Sequence, residues 1–378
     1  MFNEIWSNQS GCHSPFPSRQ SITSNQRLIL ALCYAILTPL ALSLNGFLIY
    51  GLFKTKQHSH MFARFILVLS VSDFCIGLFV QPVLIYLFIS KEEGRTSCLV
   101  SWYLTFVAYV LLNLSGLVIF LVSVDRFLRL RKSLTYVHLM TIKRVNMLLL
   151  TALVFSIAIA VGCIVTSELG YFCYYNMVVI SINGLAAGGI LIFYLLAWRN
   201  VRHRISSLRS FQKSRSSLNN ITSCLNEDLP VTTQANDKLS QKKLLSKSKI
   251  SLAAKKSRPQ YDAAMTRTVA AILLCCCLTY PPYFGVSFIR SLRLAIQGEC
   301  KNKSSENTIW FFAAFFLMFI NSTANAILYS CHNRPLKELM KKLLTRVVKE
   351  SNVVIELTSK SSSQAVCEAN GTKQRDNV

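Results

Sequence analysis

Acidic side chains are scarce in this chain. Asp and Glu number 17 against 41 Lys and Arg, and charged residues of both signs make up only 15% of the 378 positions. Soluble globular chains are about one-quarter charged, so the deficit argues against an ordinary soluble domain. No two cysteines stand in C-x-x-C spacing and the six histidines form no cluster, which removes the usual sequence grounds for zinc. No nucleophile with a neighbouring base is visible, so an enzyme is not expected. The first 26 residues contain no apolar h-region, and no signal peptide is expected. The net charge of +24 raises nucleic acid as a partner. The basic residues sit between apolar runs, however, and no basic stripe interleaved with aromatics occurs, so no nucleic-acid partner is expected.

What is abundant is apolar sequence. Hydrophobic residues make up 52% of the chain and are gathered into long runs. A membrane span needs roughly 20 mostly apolar residues. Seven runs qualify, at 27–53, 61–90, 98–128, 145–168, 174–198, 264–290 and 307–331. The expected fold is an all-α membrane protein, a seven-transmembrane helix bundle with a short amphipathic cytoplasmic helix.

Lys/Arg bias sets the orientation. The connection after span one holds Lys54 and Lys56, and that after span three holds Arg129, Arg131, Lys132, Lys143 and Arg144. The stretch 199–258 is densely basic, and the segment after Tyr329 adds Arg334, Lys337, Lys341, Lys342, Arg346 and Lys349. The opposite connections, such as "KEEGR" at 91–95, are poorer and mixed. The amino terminus is therefore expected outside and the carboxyl terminus inside. The organisation reads as an extracellular tail over 1–26, the bundle over 27–331 with a flexible cytoplasmic loop at about 203–260, an amphipathic helix over 332–346 and a disordered tail over 347–378. In the amphipathic stretch, Leu336, Leu339, Met340, Leu343 and Leu344 recur at helical spacing opposite a basic face, which suits the membrane surface and a lipid partner.

Polar residues inside spans are costly and become functional candidates. Span two carries Asp73 with no Lys or Arg in any span as an obvious partner. Span one supplies Asn45, span three Asn113 and Ser115, and span seven Asn321, Ser322 and Asn325. Asn321 and Asn325 lie one turn apart on one face. If these groups meet, a carboxylate with amide and hydroxyl oxygens makes a small site for a hard cation. Each alone is also explained by hydrogen bonding across helices. Asp125 directly precedes Arg126 at the end of span three, where an adjacent carboxylate can hold the guanidinium. Span six contains Pro281 and Pro282, which remove backbone donors and favour a kink. Asp262 lies before that span and is placed to pair with Arg126.

Five of these features, in this order, resemble the motifs of the rhodopsin-type (class A) G-protein-coupled receptors over about 27–346. "DRF" at 125–127 resembles DRY, "NSTANAILY" at 321–329 resembles NSxxNPxxY, and "TYPPYF" at 279–284 resembles CWxPYF. "LSVSDF" at 69–74 resembles the span-two LxxxD motif, and Asn45 the span-one asparagine. The resemblance implies a receptor that passes an extracellular signal to heterotrimeric G proteins by an outward swing of span six at Pro282. It implies no cofactor beyond an allosteric sodium ion among Asp73, Ser115, Asn321, Ser322 and Asn325. It implies a switch built from Asp125, Arg126, Asp262, Tyr194, Tyr280, Asn325 and Tyr329. It also implies a plasma-membrane location. The departures are Phe127 for Tyr, Ala326 for Pro, Tyr280 for Trp, no tryptophan in span four, and Ala186 where span five usually has proline. Spans five and seven should be straighter for it. Ala326 in "NAxxY" resembles melatonin receptors, which is too little to set a subfamily.

The family ties together the positions of Cys98 and Cys173. Cys12 and Cys300 are a second candidate extracellular pair, tail to third outer loop. Asn8 and Asn302 stand in sequons on the outer side and are expected to be glycosylated. Ala108 occupies the position where amine receptors carry an Asp, and span seven lacks the lysine that opsins use, so neither a typical monoamine nor retinal is expected. The candidate ligand pocket is aromatic and mostly neutral, with Tyr109, Leu112, Tyr280, Tyr283, Phe284, Phe315 and Phe319. Arg290 and Arg293 end span six on the outer side. They either attract an anionic group or snorkel to headgroups, and snorkelling is the favoured reading. A multi-pass transporter is the main competitor, though no internal repeat supports it. A ligand-independent, constitutively active receptor is also compatible with the altered switch positions.

Overall fold

The computed structural model describes residues 22–90, 95–131, 136–189, 191–193, 195–196, 199, 206, 268–298, 308–333, 335–343 and 345. Among them seven helices are long and apolar enough to cross a membrane. These are α1 (Ser24–Lys54), α2 (Met61–Ile89), α3 (Leu99–Arg129), α4 (Ile142–Glu168), α5 (Phe172–Phe193), α6 (Thr268–Ile296) and α7 (Thr308–His332). No strand occurs among the described residues. The protein is a seven-helix, multi-pass membrane bundle. It divides into two compact units, Met1–Tyr329, which holds the bundle, and Ser330–Val378. In the second unit residues 335–343 are helical. The Leu336 amide donates to Asn333 Oδ1 (3.5 Å) at the start of that helix. Tyr194, Asp262, Cys12, Cys300, Asn8, Asn302, the side chain of Cys98, and the long loop and tails lie outside the described residues.

Local chemistry sets the helix ends. α1 opens with a capping box, in which the Gln26 amide donates to Thr23 Oγ1 (3.4 Å) and the Thr23 amide to Gln26 Oε1 (3.1 Å). Two orphan amides are thereby satisfied. α4 ends at Gly170, whose φ of 79° suits glycine. The Tyr171 amide reaches back to the Thr166 carbonyl (2.8 Å), closing the last turn. α2 changes pitch midway. Ile76–Val80 form a π-turn, in which the Gln81 amide donates to the Ile76 carbonyl. Pro82 follows at once and has no amide to continue the ladder. Such turns add a residue and rotate the face that follows.

α1 packs on α2, α2 on α3, and α3 on α4. Aromatic side chains close the ring between α1 and α7. Tyr34 of α1 is fully buried. Its ring meets Phe316 edge-on (5.2 Å) and Phe319 (5.8 Å) and stacks near Phe88 (6.0 Å). Its hydroxyl donates to the Phe312 carbonyl (3.4 Å). Amide and hydroxyl groups do the same work for α5. Asn183 bridges to Asn113 of α3 (3.3 Å). Asn176 joins Tyr109 of α3 to Ser287 and Ser291 of α6 at 2.7–3.0 Å. Many apolar side chains face outward, among them Leu150, Val154 and Leu185. In water such a surface would be a liability, and in lipid it is the required one.

Candidate functional site

Three constellations inside the bundle carry chemistry. The first lies where α3 ends. Asp125 and Arg126 are both buried, and the guanidinium Nη2 is 3.0 Å from Asp125 Oδ2. The pair is close but not aligned as a hydrogen bond, since Arg126 Nη2 and Nε have no acceptor. The guanidinium instead lies 3.9 Å from the centre of the Phe62 ring, a cation–π contact out of water. Phe62 in turn lies 6.0 Å from the ring of Tyr329. Asp125 Oδ1 accepts a short 2.5 Å hydrogen bond from the Tyr136 hydroxyl. Tyr136 sits in a helical turn, Tyr136–Leu139, between α3 and α4. Burial pushes its phenol well above the ordinary tyrosine range, and the neighbouring Asp125 charge adds to the shift. The phenol therefore stays a donor. Arg126 is thus held by an acid, an aromatic face and a buried surround, with hydrogen-bonding capacity to spare.

The second constellation is the polar centre. Asp73 is buried, and its Oδ1 accepts from the Ser115 hydroxyl (3.2 Å). Ser115 also shares a 2.8 Å hydrogen bond with Ser72. Ser322 and Asn325 of α7 lie within electrostatic reach of Asp73. Yet Asp73 Oδ2, Ser322 Oγ and both polar atoms of Asn325 are buried with no hydrogen-bond partner, as is Asn45 Oδ1. Such orphans are rare in folded proteins. One carboxylate among amide and hydroxyl oxygens has the donor chemistry of a hard-cation site. Asn321 of the expected set also contacts α6. Its Oδ1 accepts from the Cys276 thiol of α6 (3.4 Å), so it braces α6 against α7.

The third is a cavity of about 300 Å³ between α3, α5, α6 and α7. Tyr109, Leu112, Tyr280, Tyr283, Phe284 and Phe315 line it. Phe319 does not. It is fully buried on the other side, against Tyr34 and Phe315, and it is a core residue. Asn113, Asn176 and Asn183 also line the cavity. Asn113 stood out as a polar residue in span three, whereas Asn176 and Asn183, polar interruptions seven residues apart in an apolar span, were not among the expected site residues. Small residues make the deep room. Added methyls at Gly116 and Gly188 would meet no atom within 4 Å, and Ala186 stands in the same wall. Cys173 is buried and is not among the free thiols of the described residues.

Fold and centre together define a membrane bundle with a buried polar core and an internal cavity. The model of the seven-transmembrane receptors of the rhodopsin family matches residues 44–329, most of the chain, and the protein belongs to that family. No curated protein matches the chain.

Proposed function

We propose that this receptor sits in the plasma membrane with its amino terminus outside and passes an extracellular signal to a heterotrimeric G protein. The observation that carries the reading is Arg126. It is a buried cation at the end of α3, held by Asp125 and Phe62 with unsatisfied donors. A group so held is ready to exchange partners when the helices around it move. In the two-state picture, a ligand that favours the open arrangement shifts the balance toward it. Ligand contact at Tyr280 and Tyr283 loosens α6, which swings outward about Pro281 and Pro282. Arg126 then leaves its closed-state partners, and the cleft that opens admits a helix of the G protein. Asp262 and Tyr194 are the expected closed-state and open-state partners. Asp73, Ser115, Ser322 and Asn325 would hold a sodium ion, whose charge would satisfy the buried carboxylate and favour the closed state. Cys98 with Cys173, and Cys12 with Cys300, are proposed to be bridged, since disulfides persist on the oxidising face. Asn8 and Asn302 are proposed glycosylation sites.

The experiment is G-protein activation in cells expressing the wild type, Arg126→Ala and Asp73→Asn at matched surface levels. Basal signalling that Arg126→Ala abolishes and Asp73→Asn alters supports the reading. Equal signalling from all three would defeat the assignment of the switch.

A further inference from the structure

The reading above leaves Arg290 unexplained. It lies on α6, seven residues beyond Tyr283 and ten beyond Tyr280. At 3.6 residues per turn, positions 280, 283, 287 and 290 share a face, and ten residues cover about 15 Å of helix. Tyr280 and Tyr283 are cavity wall. The Arg290 guanidinium is 5.7 Å from the centre of the Phe311 ring. Phe311 packs against Tyr283 (5.5 Å) and stacks on Phe315 (5.9 Å), which is also cavity wall. Tyr109 and Tyr283 are both within electrostatic reach of the guanidinium.

The Arg290 side chain lies against this aromatic wall. Its Nε is buried with no hydrogen-bond partner, and among the described residues the single ion pair is that of Arg126 with Asp125. Arg290 is half-buried, and a guanidinium nitrogen buried without an acceptor is costly. The residue lies beyond Tyr283 along α6, on the aromatic wall that Tyr283 and Phe315 share with the cavity. A volume of about 300 Å³ is at the small end for ligand pockets, which suits a single short chain.

We propose that Arg290 anchors the acidic headgroup of an amphipathic anion whose apolar tail lies in the cavity between α3, α5, α6 and α7. The proposal rests on the receptor reading only in taking that cavity as the ligand site. A carboxylate and a phosphate share the required chemistry.

The test uses the full chain in nanodiscs of zwitterionic lipid, with thermal unfolding followed during titration by decanoate, decyl phosphate and decanol. At least one anion raises the midpoint, and the one that does identifies the headgroup. Decanol does not at equal concentration. Arg290→Gln raises the half-saturating anion concentration about tenfold or more, Arg290→Lys restores part of the affinity, and Arg293→Gln matches the wild type. Gly116→Leu fills the cavity and abolishes binding with Arg290 intact. Arg290→Gln keeps a polar side chain at a half-buried position, so its ligand-free midpoint stays near that of the wild type. The proposal is overturned if neither anion shifts the midpoint, if decanol matches them, or if Arg290→Gln binds like the wild type. No G protein is present, so failure here leaves the Arg126 reading standing, and the reverse also holds.

Discussion

Replacing Tyr136 by Phe removes a single oxygen from the lock on Arg126. The Tyr136 hydroxyl donates to Asp125 Oδ1 at 2.5 Å, and both residues are buried. Without it Asp125 keeps only its imperfect contact with Arg126. A hydrogen bond to a charged group contributes about 1.5–3 kcal/mol. If the bond is made only in the closed arrangement, its loss moves the closed-to-open ratio by about tenfold to a hundredfold. Basal nucleotide exchange on a purified G protein should rise toward that factor, until the open state saturates. Phe keeps the ring, so its packing under Arg129 is preserved. Should the thermal midpoint fall while exchange stays at the wild-type rate, the bond supports the fold and not the closed state, and the reasoning fails. The same hydroxyl predicts a pH signature. Its folded-state pKa is raised. Its contribution is therefore complete below the ordinary tyrosine value of about 10 and is lost as pH climbs through the higher folded value. Between pH 6 and 9 Tyr136 adds no slope to stability. Above about pH 10 the wild type loses stability that Tyr136→Phe does not.

Other outcomes follow from particular contacts. Phe319→Ala empties a core site beside Tyr34 and should cost about 3–5 kcal/mol, seen as a large drop in thermal midpoint, while leaving anion affinity in folded protein near the wild-type value. Gly162→Ala places a methyl 2.8 Å from Tyr175 Cζ and strains the Tyr175 bond to the Ile159 carbonyl (2.8 Å). A loss of about 1–3 kcal/mol is expected by thermal unfolding. Wild-type stability should rise with sodium chloride beyond its rise with choline chloride, and Asp73→Asn should abolish that difference. A difference that persists in the variant would place the ion elsewhere.

Much of the bundle was legible from composition. Seven apolar runs fixed the helix count because each span must be about 20 residues long whatever it packs against. Asp73, Ser115, Ser322 and Asn325 were legible because a polar group in lipid needs a reason. What escaped was the rotation of helices about their own axes. Phe319 shares a face with the cavity residue Phe315, but the offset of about 40° between them is enough to turn it toward Tyr34 of α1. The contact of Asn321 with Cys276 of another helix is one that no single span encodes. The Asn176 and Asn113–Asn183 bridges depend on how α5 leans on α3, which no single span encodes.

The central claim is that Arg126 is locked in the resting receptor and couples when released. The most direct measurement is nucleotide exchange by purified heterotrimers of each G-protein class, driven by the chain in nanodiscs as wild type, as Tyr136→Phe, and as Tyr136→Phe with Arg126→Ala. The account predicts that, with at least one class, Tyr136→Phe exceeds the wild type and the double variant falls to the receptor-free rate. A double variant as active as Tyr136→Phe, or no acceleration by Tyr136→Phe with any class, would contradict it.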